Sequence, residues 1–302
     1  MNAQNVNPGA LFLLLPLGAR TVALGEAVVA DTSLGTEALW WNPAALARLQ
    51  KREVAIHHSQ TFAGNSDLLV FAYPSKRLGT LTAGVDIFDG GGDQAVTDSV
   101  GTFLGNASNR NFVFMASYAT PIGKRLSVGL TGKVVVYKVA CSVCALPTPS
   151  TNAIDIGAQY VLSWRLPITI GASARNLGQP FQVKDAEQAD PLPRLIQVGA
   201  RVQIPIAVLD SNDTAFDVSA DVFSSPAYSG PGLRLGASLT YSHDYALRVG
   251  YKTAAGDNDN QNGFSIGFGF TKGSFGLDFA RRFDSTSQLG TSPTYVSLRV
   301  LF

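Results

Sequence analysis

The sequence is short of charged residues, and this shortage excludes several protein classes. Charged residues make up 15% of the 302 residues, whereas a soluble domain typically has about 25%. Only four residues are glutamates and eight are lysines, which disfavours a helical soluble enzyme with a Glu- and Lys-rich surface. The net charge of +1 disfavours a nucleic-acid partner, because such a partner needs a concentrated basic face.

Cysteines and long apolar runs are scarce as well. The two cysteines, Cys141 and Cys144, are too few for a disulfide framework or a four-ligand zinc site. The longest apolar run, Ala10 to Ala19, is interrupted by Pro16 and is about half as long as a membrane-spanning helix. No Lys or Arg precedes this run, unlike in a secretory signal. We therefore hypothesise that this sequence lacks its signal peptide, as a mature form or through a mis-assigned start.

What the sequence does have is a repeated alternation of apolar and polar residues from about residue 52 to the end. Alternation with period two predicts strands that have two different faces. In residues 264–271, for example, phenylalanines and one isoleucine alternate with serine, glycine and threonine. The pattern predicts fourteen strands, near 52–60, 66–74, 78–88, 111–120, 124–139, 151–163, 166–176, 194–205, 214–224, 231–243, 245–252, 263–272, 274–283 and 293–302.

The connections between these strands alternate between short and long. The long polar connections lie near 89–110, 140–150, 177–193, 253–262 and 284–292, and the connection at 205–213 is an exception to the alternation. In an antiparallel meander, all the long connections of such a series fall at one end. This layout is typical of an outer-membrane barrel with short periplasmic turns and long outer loops.

A soluble β-sandwich is the alternative, because its strands alternate too. The polar faces here are mostly Gly and Ser with a few charges, which suits a crowded lumen: Asp86, Asp155, Arg175, Arg201, Asp221, Arg248 and Asp278. Tyrosines lie towards the strand ends, where an interfacial girdle would be: Tyr118, Tyr160, Tyr241, Tyr245 and Tyr251. The predicted fold is therefore an all-β, 14-stranded antiparallel transmembrane β-barrel, closed because lipid offers no partners to a free edge.

Residues 1–50 show no alternation and few charges. Asn42 followed by Pro43 predicts a helix N-cap with proline at the first helical position. Because fourteen strands enclose more space than side chains alone can fill, we expect residues 1–50 to form a short helical hatch inside a barrel of residues 51–302. The alternative is a periplasmic arm that docks on a partner.

Residues 17–46, LGARTVALGEAVVADTSLGTEALWWNPAAL, carry a resemblance to a known family. With ARNLG at 174–178, LPRLIQVG at 192–199 and LRVGY at 247–251, the chain resembles the PorV/PorQ family of FadL-like outer-membrane proteins. The hatch motif falls on Gly18, Arg20, Gly25, Asn42, Pro43 and Ala44. The chain departs from the family at Glu26, where a small residue often stands.

The resemblance implies a non-enzymatic barrel in the bacterial outer membrane, with one of two functions. The first hypothesis is a PorV-like docking or structural subunit that acts with type IX secretion and binds protein partners or secreted cargo. The alternative is a FadL-like transporter of long-chain fatty acids or other hydrophobic molecules. The expected partners are outer-membrane lipid, a protein partner or cargo, and a lipid or detergent molecule in the lumen. No cofactor is expected.

Several residues are candidates for a ligand path. Phe12, Leu15, Trp40 and Trp41 could line an apolar tunnel, although the two tryptophans could instead anchor the hatch. The lumen charges Arg175, Arg201, Asp221 and Arg248 could bind a ligand carboxylate, but we expect them rather to pair with each other or to cap hatch carbonyls. A transporter should lose uptake when residues 1–16 are deleted.

Other chemistry-bearing residues give weaker signals. His57 and His58 are neighbours on a strand and point to opposite faces, and no nucleophile, base and orienter set is evident. Cys141 and Cys144 lie in a predicted outer loop, where a disulfide is plausible. Residues 257–263, DNDNQNG, resemble a calcium loop, but the glycine comes one place late and Phe268 stands where a glutamate belongs. No metal site is predicted.

Overall fold

One antiparallel sheet dominates the computed structural model, which describes residues 8–92, 94–143, 148–163, 165–181, 189–204, 214–253, 262–284 and 292–302. The strands are β1 Glu53–Thr61, β2 Gly64–Ser75, β3 Gly79–Asp89, β4 Gln94–Thr97, β5 Phe103–Ile122, β6 Leu126–Cys141, β7 Ser150–Ser163, β8 Pro167–Gly178, β9 Leu195–Ile204, β10 Thr214–Ser224, β11 Gly232–Tyr241, β12 Tyr245–Lys252, β13 Gly263–Lys272, β14 Phe275–Asp284 and β15 Thr294–Leu301. Fourteen of them match the predicted strands.

The sheet closes into a barrel. Apart from β4, each strand pairs with its neighbours around the barrel: β1 pairs with β15, and β3 pairs with β5, while the inserted β4 pairs with β5 outside this closed circuit. The barrel therefore has fourteen strands and no free edge, which is the arrangement that a sheet needs in lipid. The prediction of a closed 14-stranded antiparallel barrel is confirmed.

The largest difference from the predicted strands lies between β3 and β5. Residues 89–110 are predicted as one long loop, but β4 pairs with the first part of β5, which begins at Phe103. The sequence of this part, FLGNASNR, is polar and does not alternate. The two strands form a polar hairpin beyond the barrel wall, so the hydrophobic pattern that marks the other strands is missing here.

The two faces of the strands are arranged as predicted. In β13, the side chains of Phe264, Ile266 and Phe268 are exposed on the outside, whereas Ser265 is buried inside. The outer face of the whole barrel carries exposed aliphatic and aromatic side chains, and the five predicted girdle tyrosines are all exposed. An apolar exterior of this kind suits contact with lipid. Among the described residues, no helix is long and apolar enough to cross a membrane.

Residues 8–50 form short helices that lie inside the barrel. These are 3-10 helices at Leu11–Leu14, Gly35–Glu37 and Pro43–Arg48, and α-helices α1 Ala19–Ala23 and α2 Ala38–Trp41. Asn42 caps the helix that starts at Pro43 by accepting a hydrogen bond from the Ala44 amide, which confirms the predicted N-cap. Hydrogen bonds from α1 and the following segment reach strands on opposite sides of the barrel, such as Ala19 N to Ser297 Oγ and Val29 N to Asp221 Oδ2.

The two ends of the barrel differ. The turns Lys76–Leu78, Gly123–Arg125, Ser242–Asp244 and Gly273–Ser274 lie at one end, together with Phe302. The longer connections between β3 and β5, β6 and β7, and β8 and β9 lie at the other end, which we call the long-loop end. The chain passes from the hatch into β1 at the end with the short turns, where the backbone of Arg52 pairs with that of Phe302.

Candidate functional site: an apolar cavity above the hatch

An apolar cavity of about 790 Å³ lies at the long-loop end. One side is residues 8–16 of the hatch, which contribute Phe12 and Leu15, and the other side is the barrel wall. Phe12 stacks on Phe88 of β3, with ring centroids 5.5 Å apart. The volume falls within the range of small-molecule binding sites, which are usually about 300–1,000 Å³.

The predicted tunnel residues separate into two groups. Phe12 and Leu15 line the cavity, whereas Trp40 and Trp41 do not. Both tryptophans are buried in the hatch core below it, and Trp41 Nε1 donates a hydrogen bond to the Leu17 carbonyl at 2.8 Å. This buried position within the hatch is compatible with the predicted anchoring role and not with the predicted tunnel lining.

Cations from the barrel wall lie over the rings of these two tryptophans. Lys133 Nζ is 4.8 Å from the centroid of Trp40, and the Arg175 guanidinium is 4.8 Å from that of Trp41. Arg175 also donates to the Trp40 carbonyl oxygen at 2.9 Å. Cation–π contacts are stronger when they are desolvated, and these are buried. They fix α2 against β6 and β8.

Glu26 lies at the centre of a buried ionic network between the hatch and the barrel. Its carboxylate oxygens are 2.7 Å from Arg234 Nη2, 2.9 Å from Lys252 Nζ and 3.0 Å from Arg282 Nη1. Burial alone would raise the pKa of Glu26, but the three cations outweigh burial and lower its pKa to about 2. Glu26 therefore stays ionised near neutral pH. Lys252 and Arg282 also line the cavity floor.

A second ionic cluster holds the turn after α1. Asp31 is 3.1 Å from Arg20 and 3.2 Å from Arg201, and Arg201 is also 2.9 Å from Asp217 of β10. Burial would raise the pKa of Asp31, but the two arginines and hydrogen bonds from Ser33 lower it below its ordinary value. Arg20, from the hatch motif, thus acts within the hatch and does not reach the cavity lining.

The other residues of the hatch motif hold the backbone close to the barrel. Gly18 and Gly25 have φ values of +90° and +60°, where a side chain is strained. A Cβ atom at Gly25 would also overlap the backbone of Leu235 and Tyr251. Asn42 donates to the Val29 carbonyl at 2.6 Å, and Pro43 and Ala44 are buried beside it.

The four predicted lumen charges all contact protein groups. Besides the contacts of Arg175 and Arg201 given above, Arg248 lies 2.6 Å from Asp278, and Asp221 accepts hydrogen bonds from Val29 N and Gln197 Nε2. Arg201 and Arg248 thus pair with carboxylates outside this set of four, whereas Arg175 and Asp221 bind the hatch backbone. None of the four lines the cavity.

The predicted opposite orientation of the two histidines is confirmed. His58 is outside, paired with Asp67 at 2.7 Å, and His57 is buried inside. His57 Nδ1 is 2.8 Å from Ser297 Oγ and 3.7 Å from Glu37. Because the hydroxyl and the carboxylate approach the same ring nitrogen, these groups lack the relay order of a nucleophile, a base and an orienter. His57, Ser297 and Glu37 instead connect α1 to β1 and β15.

Two of the predicted features lie partly beyond the described residues. Cys141 ends β6, but Cys144 lies outside the described residues, so their disulfide stays a prediction. Residues 257–261 of the calcium-like segment also lie outside them.

Sequence reasoning missed the polar residues of the cavity wall. Asn109, Asn111 and Tyr137 line the cavity from β5 and β6. Asn111 lies on the same inward face of β5 as Val113 and Met115, so the alternation of the sequence could have predicted that it faces the lumen. The sequence could not predict that residues 8–16 approach this wall, because the contact joins residues that are far apart in the chain.

Comparisons with known proteins agree with the fold. No protein-family model and no curated protein sequence matches the chain. Among solved structures, the chain is similar to the toluene transporter TbuX of Ralstonia pickettii, with a TM-score of 0.60, 14% identity, and coverage of 94% of this chain and 98% of that one. The Pseudomonas putida toluene transporter TodX gives a TM-score of 0.60 and 13% identity, with coverage of 94% and 96%.

A FadL homologue of Pseudomonas aeruginosa is a third similar structure, with a TM-score of 0.51, 11% identity, and coverage of 95% and 98%. At these identities the similarity concerns the fold. The resemblance to FadL-like barrels is therefore supported at the level of architecture, while the finer assignment to PorV/PorQ stays a prediction. This chain shares the barrel fold of these three structures.

Proposed function

We propose that this protein is an outer-membrane transporter that passes small hydrophobic molecules into the barrel. The observation that carries the proposal is the apolar cavity of about 790 Å³ between residues 8–16 and the barrel wall. A cavity at the long-loop end of a barrel with an apolar exterior faces the side from which a transporter would take up its substrate.

The similar structures support transport over docking. TbuX and TodX are described as toluene transporters, and their architecture extends over nearly the whole of this chain. The PorV-like docking role, our first hypothesis from the sequence, has no comparable support. Transport of hydrophobic compounds, the alternative, becomes the main proposal, and an outer-membrane location belongs to it.

Residues 8–16 are the proposed movable part of the hatch. They are joined to the rest of the protein by a hydrogen bond from Gly9 N to the Pro191 carbonyl, 3.0 Å long, by the stacking of Phe12 on Phe88, and by the apolar packing of Leu13 and Leu14. The rest of the hatch is held by the buried ion pairs of Glu26 and Asp31. Displacing the first segment would therefore break apolar contacts and leave these ion pairs intact.

Filling the cavity tests the proposal. Ala63 lines the cavity, and we expect Ala63→Trp to reduce naphthalene uptake by about tenfold, since an indole group takes up ligand space. Uptake would be measured with labelled naphthalene in host cells that lack FadL-like proteins. Ala140→Trp, at an exposed position of β6 near the same end, should leave uptake unchanged. Equal uptake by both variants and the unaltered protein would contradict the proposal.

A further inference from the structure

The cavity wall contains a buried amide with unused hydrogen-bonding capacity. Asn111 of β5 is 1% exposed and lines the cavity. Neither its Nδ2 nor its Oδ1 has a hydrogen-bond partner among the described residues. Buried polar side chains are nearly always hydrogen-bonded, so an amide in this state at the wall of a cavity points to a polar group on the molecule that fills it.

Two neighbours extend this polar patch. Asn109 lies on the same face of β5, two residues before Asn111, and its Nδ2 donates to the Tyr137 hydroxyl at 3.2 Å. The Oδ1 of Asn109 is a further buried atom without a partner among the described residues. We call Asn109, Asn111 and Tyr137 the amide patch. It consists of neutral groups and offers both donors and acceptors.

Unlike the amide patch, the two cations that line the cavity, Lys252 and Arg282, are already paired with a carboxylate. Lys252 Nζ is within 3.1 Å of both carboxylate oxygens of Glu26, and Arg282 Nη1 is 3.0 Å from one of them. An incoming carboxylate would have to share these cations with Glu26. A neutral hydroxyl group can instead donate to Asn111 Oδ1 or accept from Asn111 Nδ2 without disturbing any ion pair.

We infer that the cavity selects apolar molecules that carry one neutral hydroxyl or carbonyl group, which hydrogen-bonds to Asn111 while the apolar body contacts residues such as Phe12 and Leu15. The inference rests on the proposed transport function and adds a substrate class to it. It assigns Asn111 as a specificity-determining residue. A pure hydrocarbon would fit the same cavity but would leave the amide without a partner.

The test compares three molecules of similar shape: naphthalene, the neutral naphthol and the anionic naphthoate. Binding to the full-length protein in phosphatidylcholine nanodiscs would be measured by equilibrium dialysis near neutral pH, with empty nanodiscs subtracted. We expect Asn111→Leu to weaken naphthol binding about tenfold and to change naphthalene binding by less than about twofold, as expected for the loss of one hydrogen bond. Asn65→Leu makes the same change at an exposed position of β2 and should affect neither molecule.

Each outcome discriminates. If naphthalene does not bind the unaltered protein, the proposed transport function fails and this inference fails with it. If naphthalene binds and Asn111→Leu changes naphthol and naphthalene equally, only the inference fails. It also fails if naphthoate binds most tightly and depends on Lys252. Should Asn111→Leu lose both molecules through misfolding, Asn111→Ser, which keeps a hydroxyl, must retain the preference for naphthol, and its loss overturns the inference.

Discussion

Glu26 joins the hatch to three strands of the barrel through one carboxylate. Arg234, Lys252 and Arg282 come from β11, β12 and β14, so this residue couples segments that are more than 200 positions apart. A buried ionic network adds little stability compared with apolar side chains of similar volume. Removing its carboxylate alone, however, leaves buried cations without a partner.

We therefore expect Glu26→Gln to destabilise the protein by about 3–5 kcal/mol, the usual cost of breaking a buried ion pair. Urea unfolding in detergent micelles, followed by tryptophan fluorescence, would measure the change. Asp67→Asn is the matched control, because Asp67 is an exposed carboxylate paired with His58 and exposed pairs contribute about 0–1 kcal/mol. Equal effects of the two substitutions would contradict the role of Glu26.

The same residue gives a prediction about pH. The folded protein lowers the pKa of Glu26 from 4.5 to about 2, so its ionised form stabilises the fold above pH 4.5 and this contribution is lost as pH falls towards the lowered value. The difference in stability between the unaltered protein and Glu26→Gln should therefore shrink as the pH falls through this range. A difference that stays constant over the range would show that Glu26 does not act through its charge.

At the level of elements, glycines on the inner faces of the strands make room for the hatch backbone. A Cβ atom on Gly129 of β6 would overlap the backbone of Pro43 and Ala44, and one on Gly171 of β8 would overlap that of Val29. The sequence shows these glycines only as small residues on a polar face. Their role depends on the close approach of hatch and wall, which pairs residues far apart in the chain.

Gly129 and Gly132 lie on the same strand and offer a matched comparison. Gly129→Ala should destabilise the protein by about 1–3 kcal/mol, because the added methyl group overpacks the contact with the hatch, and it should speed proteolysis of residues 8–50. At Gly132 the nearest atom to an added Cβ is 4.0 Å away, so Gly132→Ala should be nearly neutral. Urea unfolding and limited proteolysis would measure both, and equal behaviour of the two variants would argue against close hatch–wall contact at Gly129.

At the level of the whole molecule, the barrel and the first hatch segment have separable roles. Deleting residues 1–16 removes Phe12, Leu15 and the rest of one cavity wall but keeps Glu26, Asp31 and their ion pairs. We expect uptake of naphthalene to be abolished while the barrel remains folded. The folded state would be checked by the gel shift on heating in detergent, and uptake that survives the deletion would show that this segment is not the gate.

Much of the architecture follows from local pattern. Alternation along β13 and its fellow strands determines which side chains face lipid, because successive residues of a strand point to opposite sides. Asn42 and Pro43 determine a helix start by their own chemistry. The prediction fails at residues 94–110, where polar strands pair beyond the wall and no hydrophobic pattern marks them.

The sequence by itself thus determined the number of strands in the barrel wall, their two faces and the presence of a distinct N-terminal segment, since each depends on neighbouring residues. Only the tertiary structure decided that Glu26 meets three strands, that Trp40 and Trp41 are buried in the hatch away from the cavity, and that Phe12 and Asn111 line the same cavity. These relations join residues far apart in the chain, and barrel closure with the hatch inside brings them together.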